Sequence, residues 1–225
     1  MNRIMIPQIR YPLEFPDPKS SAGDAPIAYG GDLSPSRLML AYRMGIFPWF
    51  NENDPILWWS PDPRMVLFLD EFIVRKSLAK RIRNGGFEIK MNSAFNEVME
   101  KCGSVKREDQ QGSWITSTML EAYSVLHDMG HAHSIETYFN GELVGGLYGV
   151  AIGSIFYGES MFSLHNDASK VALAHLVEHL KIHGFELIDC QMNTPHLTTL
   201  GAREIGRSEF IDIISDGVIK NVIFT

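Results

Sequence analysis

The order of elements along the chain predicts an α+β fold with a central, mostly antiparallel sheet. Two hairpin signals, Asn140-Gly141 and Gly153, tie successive strands into a meander. Helices precede that meander, and a long helix over 167–182 and one more strand, "ELIDCQ", follow it. The first part of the chain differs in composition, with many Pro, Gly and Asp residues. A small N-terminal α/β domain over 1–63 is therefore expected before a larger domain over 64–225.

Residues 1–33 read as loops with short extended pieces. In "LSPSRLMLAYRMGIFPWF", Ser34 is an N-cap, Pro35 suits the first helical position, and Gly45 ends the helix in a left-handed conformation. That gives a helix near 35–44. The turn Phe47-Pro48-Trp49-Phe50 and the cluster "ILWWSPDPR" then gather Trp49, Trp58 and Trp59 into an expected small core.

After Pro61-Asp62-Pro63 the pattern becomes regular. "MVLFL" reads as a strand, 71–83 as a helix, Glu88–Met91 as a strand and 93–101 as a helix. The polar stretch "CGSVKREDQQGS" reads as a loop, 117–129 as a helix and "AHSIETYF" as a strand. Strands near 142–150 and 154–162 meet at Gly153, and a last short helix follows "ELIDCQ". This is the element order of acyltransferases of the N-acetyltransferase type.

Hydrophobic residues make up 45% of the 225 positions and charged residues 21%, a soluble globular composition with enough chain to bury a core. No apolar run approaches the ~20 residues of a membrane span. The start, "MNRIMIPQIRYPLEFPDP", has no continuous apolar segment before its prolines, so no secretory signal is expected. Cys102 and Cys190 lie far apart without metal-type spacing and read as thiols in a reducing cytoplasm. The net charge of −7 argues against indiscriminate coating of nucleic acid but leaves room for a local basic face.

"VRKSLAKRIRNGG" supplies a candidate for that face. On a helix, Val74, Leu78 and Ile82 fall within about 80° of one another, and Lys76, Lys80 and Arg83 fall opposite them. Either a solvated amphipathic face or a phosphate-binding one fits this pattern. His175, His179 and His183 recur every four residues but lie away from the buried stripe, so a solvated face is expected rather than a metal site. The same holds for His127, His131 and His133, and no metal is expected.

Two polar groups on strands stand out. Asp189 and Gln191 share a strand face with Cys190 turned toward the core, either as chemistry or as a strand-end cap for the next helix. Glu159 lies in the alternating set Ile155, Tyr157, Glu159, Met161, where a carboxylate is costly unless paired.

Seven blocks carry a family resemblance: "GGDLSPSRLMLAYRMGIFPWF", "ILWWSPDPR", "GSWIT", "GHAHSIE", "LVGGLYGV", "FYGESMFS" and "DCQ" with "HLTTLGA". Taken in order from about residue 28 to 210, they resemble the bacterial leucyl/phenylalanyl-tRNA–protein transferases. The resemblance implies a small N-terminal domain on an N-acetyltransferase-like domain. It also implies an enzyme that moves Leu or Phe, with Met as a further candidate, from aminoacyl-tRNA to the N-terminal α-amine of proteins beginning with Arg or Lys. The product would be marked for N-degron-dependent degradation.

Carried over residue by residue, the site for the terminal adenosine and aminoacyl group falls on Tyr42, Trp49, Trp114, Tyr123 and Glu159. The side-chain pocket falls on Leu147, Phe156, Met161, Leu173, Leu176 and Ile188, and the catalytic pair on Asp189 and Gln191. The tRNA-binding cluster matches Lys76, Lys80 and Arg83. Leu147 stands where close relatives carry Met, and the loop before Trp114 is about three residues longer than theirs.

An aminoacyl ester is already activated, so no cofactor is expected. In this reading Asp189 orients the Gln191 amide, whose carbonyl oxygen meets the attacking amine. Glu159 binds a ribose hydroxyl or an ammonium group. A monomer is expected, since every apolar stripe has an internal use. The rival readings are an acetyltransferase using acyl-CoA and a non-catalytic binder of basic N-termini. Against the first, "SLHNDASK" stands where a Gly-rich cradle would open the 167–182 helix.

Overall fold

A computed structural model of the chain describes residues 6–10, 13–21, 25–104 and 115–225. Trp114, one of the expected substrate contacts, and most of the polar loop before it lie outside the described residues.

The first elements are β1 (Gln8–Ile9), β2 (Ala28–Gly30), α1 (Pro35–Arg43), β3 (Phe47–Pro48) and β4 (Leu57–Trp59). Their strands form a small sheet in the order β1-β2-β4-β3. Gly45 ends α1 as expected, with φ +73° and the N–H groups of Gly45 and Ile46 bonded to the carbonyls of Tyr42 and Ala41. Ser34 sits at the N-cap position, but its hydroxyl bonds the Asp32 carboxylate rather than a helix N–H. Trp58 is fully buried and donates to the Gly30 carbonyl (2.9 Å), while Trp59 donates to the carbonyl of Trp49 (2.7 Å). The aromatic cluster is thus partly core and partly a rigid mount for Trp49.

The larger sheet follows. Its elements are β5 (Arg64–Phe68), α2 (Lys76–Asn84), β6 (Phe87–Met91), α3 (Phe95–Ser104), α4 (Ser117–Asp128), β7 (Ala132–Phe139), β8 (Glu142–Ile152) and β9 (Ile155–Ser163). The chain continues through α5 (Ala168–Ile182), β10 (Leu187–Gln191), α6 (Pro195–Thr198), β11 (Arg203–Ile205) and α7 (Arg207–Gly217). The strand order is β11-β5-β10-β9-β8-β7-β6, antiparallel throughout except for the parallel pair β9 and β10. This is the α+β architecture with a central, mostly antiparallel sheet expected from the element order. No helix among the described residues is long and apolar enough to cross a membrane.

Two apolar cores flank the large sheet. One joins α1, α3, α4 and α7 to the small sheet and to Val66, Tyr148 and Tyr157. The other packs α2 and α5 on Met65, Leu67, Leu147, Phe156 and Ile188.

Two expectations are corrected here. The helix expected over 71–83 begins only at Lys76, because Phe72 and Arg75 are extended and Val74 lies exposed outside the helix. Leu78 and the half-buried Ile82 alone carry the apolar contacts of α2, leaving its basic faces to water. The histidines of α5 are not simply solvated either. His179 lies tilted against both His183 (4.1 Å) and Phe224 (4.5 Å), and His133 stacks on Phe224 (4.0 Å). A ring with one apolar neighbour close by is satisfied by stacking, and the sequence spacing alone hides that partner. Burial also lowers His133 to a pKa of about 4, so it packs as a neutral ring.

Candidate active site

The site grows from the place where β9 and β10 part. Their parallel pairing runs Leu187↔Ile155, Ile188↔Phe156 and Asp189↔Tyr157, and stops there. Just beyond, each strand carries an extra residue. On β9 the register passes from Gly149↔Gly158 to Tyr148↔Ser160, leaving Glu159 unpaired in the ladder. On β10 it passes from Asp189↔Val66 to Gln191↔Met65, leaving out Cys190, and Gln191 adopts φ +64°. Such bulges turn side chains off the face that strict alternation assigns. Gly149 permits the first bulge, since a Cβ there would lie 2.2 Å from the Tyr157 carbonyl.

The bulges revise one reading of the sequence. Phe156 and Met161, which alternation would place on opposite faces, both line one cavity, and Met161 no longer shares a face with Tyr157, which packs in the other core. Cys190 packs against the core around that cavity, as expected, and lines the cavity as well. Its thiol is pushed above the ordinary range by burial and then by the charge of Asp189, which makes it unreactive as a thiolate.

The cavity measures about 380 Å³. All six expected pocket residues, Leu147, Phe156, Met161, Leu173, Leu176 and Ile188, line it. Trp49, Glu159 and Gln191 stand on its wall with Met192, Thr194 and His196. Apolar walls meeting a few polar groups at one point make a site for a ligand with an apolar end and a reactive polar end.

Those polar groups form a connected set. Glu159 Oε1 accepts from the Tyr42 hydroxyl (2.7 Å) and from Gln191 Nε2 (2.8 Å), and Oε2 accepts from the Tyr123 hydroxyl (3.4 Å). Tyr42 and Tyr123 also bond each other. Both tyrosines are buried behind Glu159, at 1% and 0% exposure, so they reach the cavity only through its carboxylate. Burial pushes Glu159 up to a pKa of about 7, opposed by the Tyr42 hydrogen bond. Both phenols are raised well above their ordinary range, first by burial and then by the Glu159 charge.

Asp189 is fully buried and does not touch the Gln191 amide, contrary to the sequence reading. Arg64 Nε and Nη2 donate to its two oxygens at 2.8 and 2.6 Å. Its Oδ1 also accepts from the backbone N–H of Gln191 (2.9 Å). The Arg64 guanidinium lies over the rings of Phe47 (4.9 Å) and Phe210 (4.5 Å), and is itself buried. Asp189 therefore holds the main chain of the bulge, and Glu159 holds the amide. A carboxylate only accepts hydrogen bonds, so the amide turns its NH₂ to Glu159 and leaves its carbonyl oxygen for the cavity.

No signal in the sequence singled out Arg64. A charged residue just after Pro61-Asp62-Pro63 reads as a strand-start residue, and only the fold brings Asp189 beside it. The basic cluster also separates: Lys80 and Arg81 face an open cleft beside α5, whose lining does not include Lys76 and Arg83.

Comparison with known proteins supplies the remaining findings. Residues 66–215 match the family described as leucyl/phenylalanyl-tRNA protein transferase, and residues 31–62 match the N-terminal domain of that family. A protein of Sulfurimonas denitrificans named leucyl/phenylalanyl-tRNA–protein transferase is 54% identical over 209 residues, covering 92% of this chain and 91% of its own. One of the same name from Thiobacillus denitrificans is 62% identical over 184 residues, covering 82% and 80%. Among solved structures, FemX is 12% identical with a TM-score of 0.47, covering 80% of this chain and 71% of its own.

Proposed function

The chain belongs to the leucyl/phenylalanyl-tRNA–protein transferase family, and on that premise we propose that it moves Leu or Phe from aminoacyl-tRNA to the N-terminal α-amine of proteins beginning with Arg or Lys. It is an aminoacyltransferase. The acceptor class, the marking of the product for degradation, a cytoplasmic setting and a monomeric state belong to this proposal. So does a division of the chain near residue 63, with Tyr42 and Trp49 on the smaller part. The observation that carries the reading is the apolar cavity ending at the Glu159–Gln191 contact.

The donor's Leu or Phe side chain fills the cavity between Leu147, Phe156, Met161, Leu173, Leu176 and Ile188. Its ester then lies beside Gln191. Trp49 offers a face for the terminal adenine, since bases stack on aromatic rings at ~1–3 kcal/mol each. In the reaction the acceptor nitrogen attacks the ester carbonyl carbon, and the bond to the ribose oxygen breaks. The proton lost by the amine ends on the released ribose hydroxyl.

An amide is too weak a base to take that proton. Gln191 therefore positions the amine through its carbonyl oxygen, and the neighbouring 2′-hydroxyl of the ribose carries the proton across. Holding ester and amine together in this way accounts for up to ~7–11 kcal/mol of barrier lowering. Tyr42 and Tyr123 hold Glu159, Glu159 and Asp189 hold Gln191, and Arg64 holds Asp189.

The test offers leucyl-tRNA or acetyl-CoA to the purified chain with peptides starting in Arg, Lys or Ala. Mass spectrometry should find Leu added to the Arg and Lys peptides alone. Acetyl transfer without leucyl transfer would overturn the reading in favour of an acyl-CoA enzyme. Peptide binding with no product would favour a non-catalytic binder.

A further inference from the structure

A cluster of aromatic rings stands behind the wall of the apolar cavity. Phe156 lines that cavity and is fully buried. On one side its ring rests on the main chain of β8, where a Cβ added at Gly149 would lie 2.5 Å from it. Beside it lies Phe224, with the ring centres 5.9 Å apart. Phe224 belongs to the segment after α7 and is not part of the cavity lining.

Three further rings fix Phe224. His133 of β7 stacks on it at 4.0 Å, His179 of α5 lies tilted at 4.5 Å, and Phe185 meets it edge-on at 6.2 Å. The segment alternates, with Val222 and Phe224 packed on the core around the cavity and Ile223 exposed. An ion pair of Lys220 with Glu186 fastens its start. Phe224 is itself buried, so its ring is a packed part of that core.

These two neighbours of Phe156 differ in how far they yield. β8 is an interior strand of the large sheet, and its main chain is held by ladders to β7 and β9. Phe224 is a side chain on a segment outside the sheet. In a close-packed interior, a change in the volume of one ring is passed to the ring beside it. How far Phe156 stands into the cavity is therefore set from the Phe224 side.

We propose that Phe224 is a positioning residue that determines specificity: it fixes how far Phe156 projects into the cavity, and so whether the cavity prefers Leu or Phe. It acts only through Phe156. The inference rests on the reading that the donor's side chain fills this cavity, and it adds to the lining residues one that lies behind them. Removing the Phe224 ring opens space that the surroundings fill only in part. Phe156 then stands back, and the deeper cavity favours Phe over Leu.

The test is calorimetric binding of two stable donor mimics to the full chain: adenosine carrying Leu or Phe at its 3′ position through an amide instead of the ester. Binding needs no transfer, so a wild type that binds both mimics and transfers neither residue would sink the functional reading alone. Phe224→Ala should shift the ratio of affinities toward Phe about fivefold, less than a methylene touching the ligand itself discriminates. Phe224→Leu leaves a smaller void and disturbs the fold less, and should shift the ratio the same way by about twofold. Phe224→Trp overfills the space and should shift it toward Leu. A general loosening of the fold would weaken both mimics equally. An unchanged ratio in Phe224→Ala and Phe224→Leu would therefore overturn the inference, and so would a shift toward Phe in Phe224→Trp.

Discussion

Around Asp189 the charges are buried and each carboxylate oxygen takes an Arg64 donor, whereas along Lys80, Arg81 and Lys170 they stand in an open cleft with few partners. The apolar cavity beside the first region and the open cleft share β9 and α5 in their walls. The physics of the two regions differs because their dielectric differs. In the buried set each interaction is strong, short-ranged and geometrically exacting, and removing one partner strands another. In the cleft each charge contributes little alone, acts over a Debye length of about 10 Å, and fades with salt. The first region suits holding one amide in one orientation. The second suits a flexible polyanion that needs only to be drawn in and aligned.

The sharpest way to break this contrast is Arg64→Met. It leaves Asp189 buried without its counter-ion, and losing one partner of such a pair costs about 3–5 kcal/mol. Urea unfolding reads that loss directly. A change under about 1 kcal/mol would mean that water reaches Asp189 and that the two regions are less different than described.

Glu159→Gln comes next, with turnover expected to fall by up to about 100-fold, as small misplacements of reacting groups do. The wild-type pH profile carries the diagnostic feature. Below about pH 7, Glu159 takes up a proton and no longer dictates which end of the Gln191 amide faces it. Transfer should therefore rise with pH through about 7, and the variant should lack that step. Stability moves the other way. The folded carboxyl binds its proton more tightly than its ordinary value of 4.5, so stability is greatest below that value and declines as pH climbs to about 7. Thermal unfolding of wild type and variant across that window measures the difference, and identical profiles would remove Glu159 from the role given to it.

Leu147→Ala enlarges the apolar cavity without touching a charge. The ratio of Phe to Leu transfer should rise about tenfold, in line with what a few methylenes discriminate. Competition between the two charged tRNAs reads this, and an unchanged ratio would place the side chain elsewhere. Lys80→Ala is the smallest expected effect. The residue is exposed, so the unfolding midpoint should stay put while tRNA affinity loses a little of its salt dependence. A shift in stability as large as that of Arg64→Met would erase the distinction between the two regions.

Much of this molecule is legible from sequence. The Schellman-type end of α1 at Gly45, the Asn140-Gly141 turn and the long apolar stripe of α5 depend on neighbours in the chain, and each element formed where its local pattern placed it. The six residues expected around the donor side chain also line one cavity. The start of α2 did not follow its local pattern. Val74 continues the apolar period but has nothing to pack on, so period alone extended that helix too far.

The contacts of the polar set were decided only in three dimensions. Alternation along β9 and β10 is a rule for unbroken ladders, and a bulge on each strand reverses it just where the strands part. Arg64 meets Asp189 through antiparallel pairing of β5 with β10, and Tyr42 of α1 meets Glu159 of β9 from far away in the chain. Local backbone preference and period set which elements form and which of their faces are apolar. Which carboxylate holds which amide depended on long-range register and on two extra residues, and no local pattern in the chain encodes either.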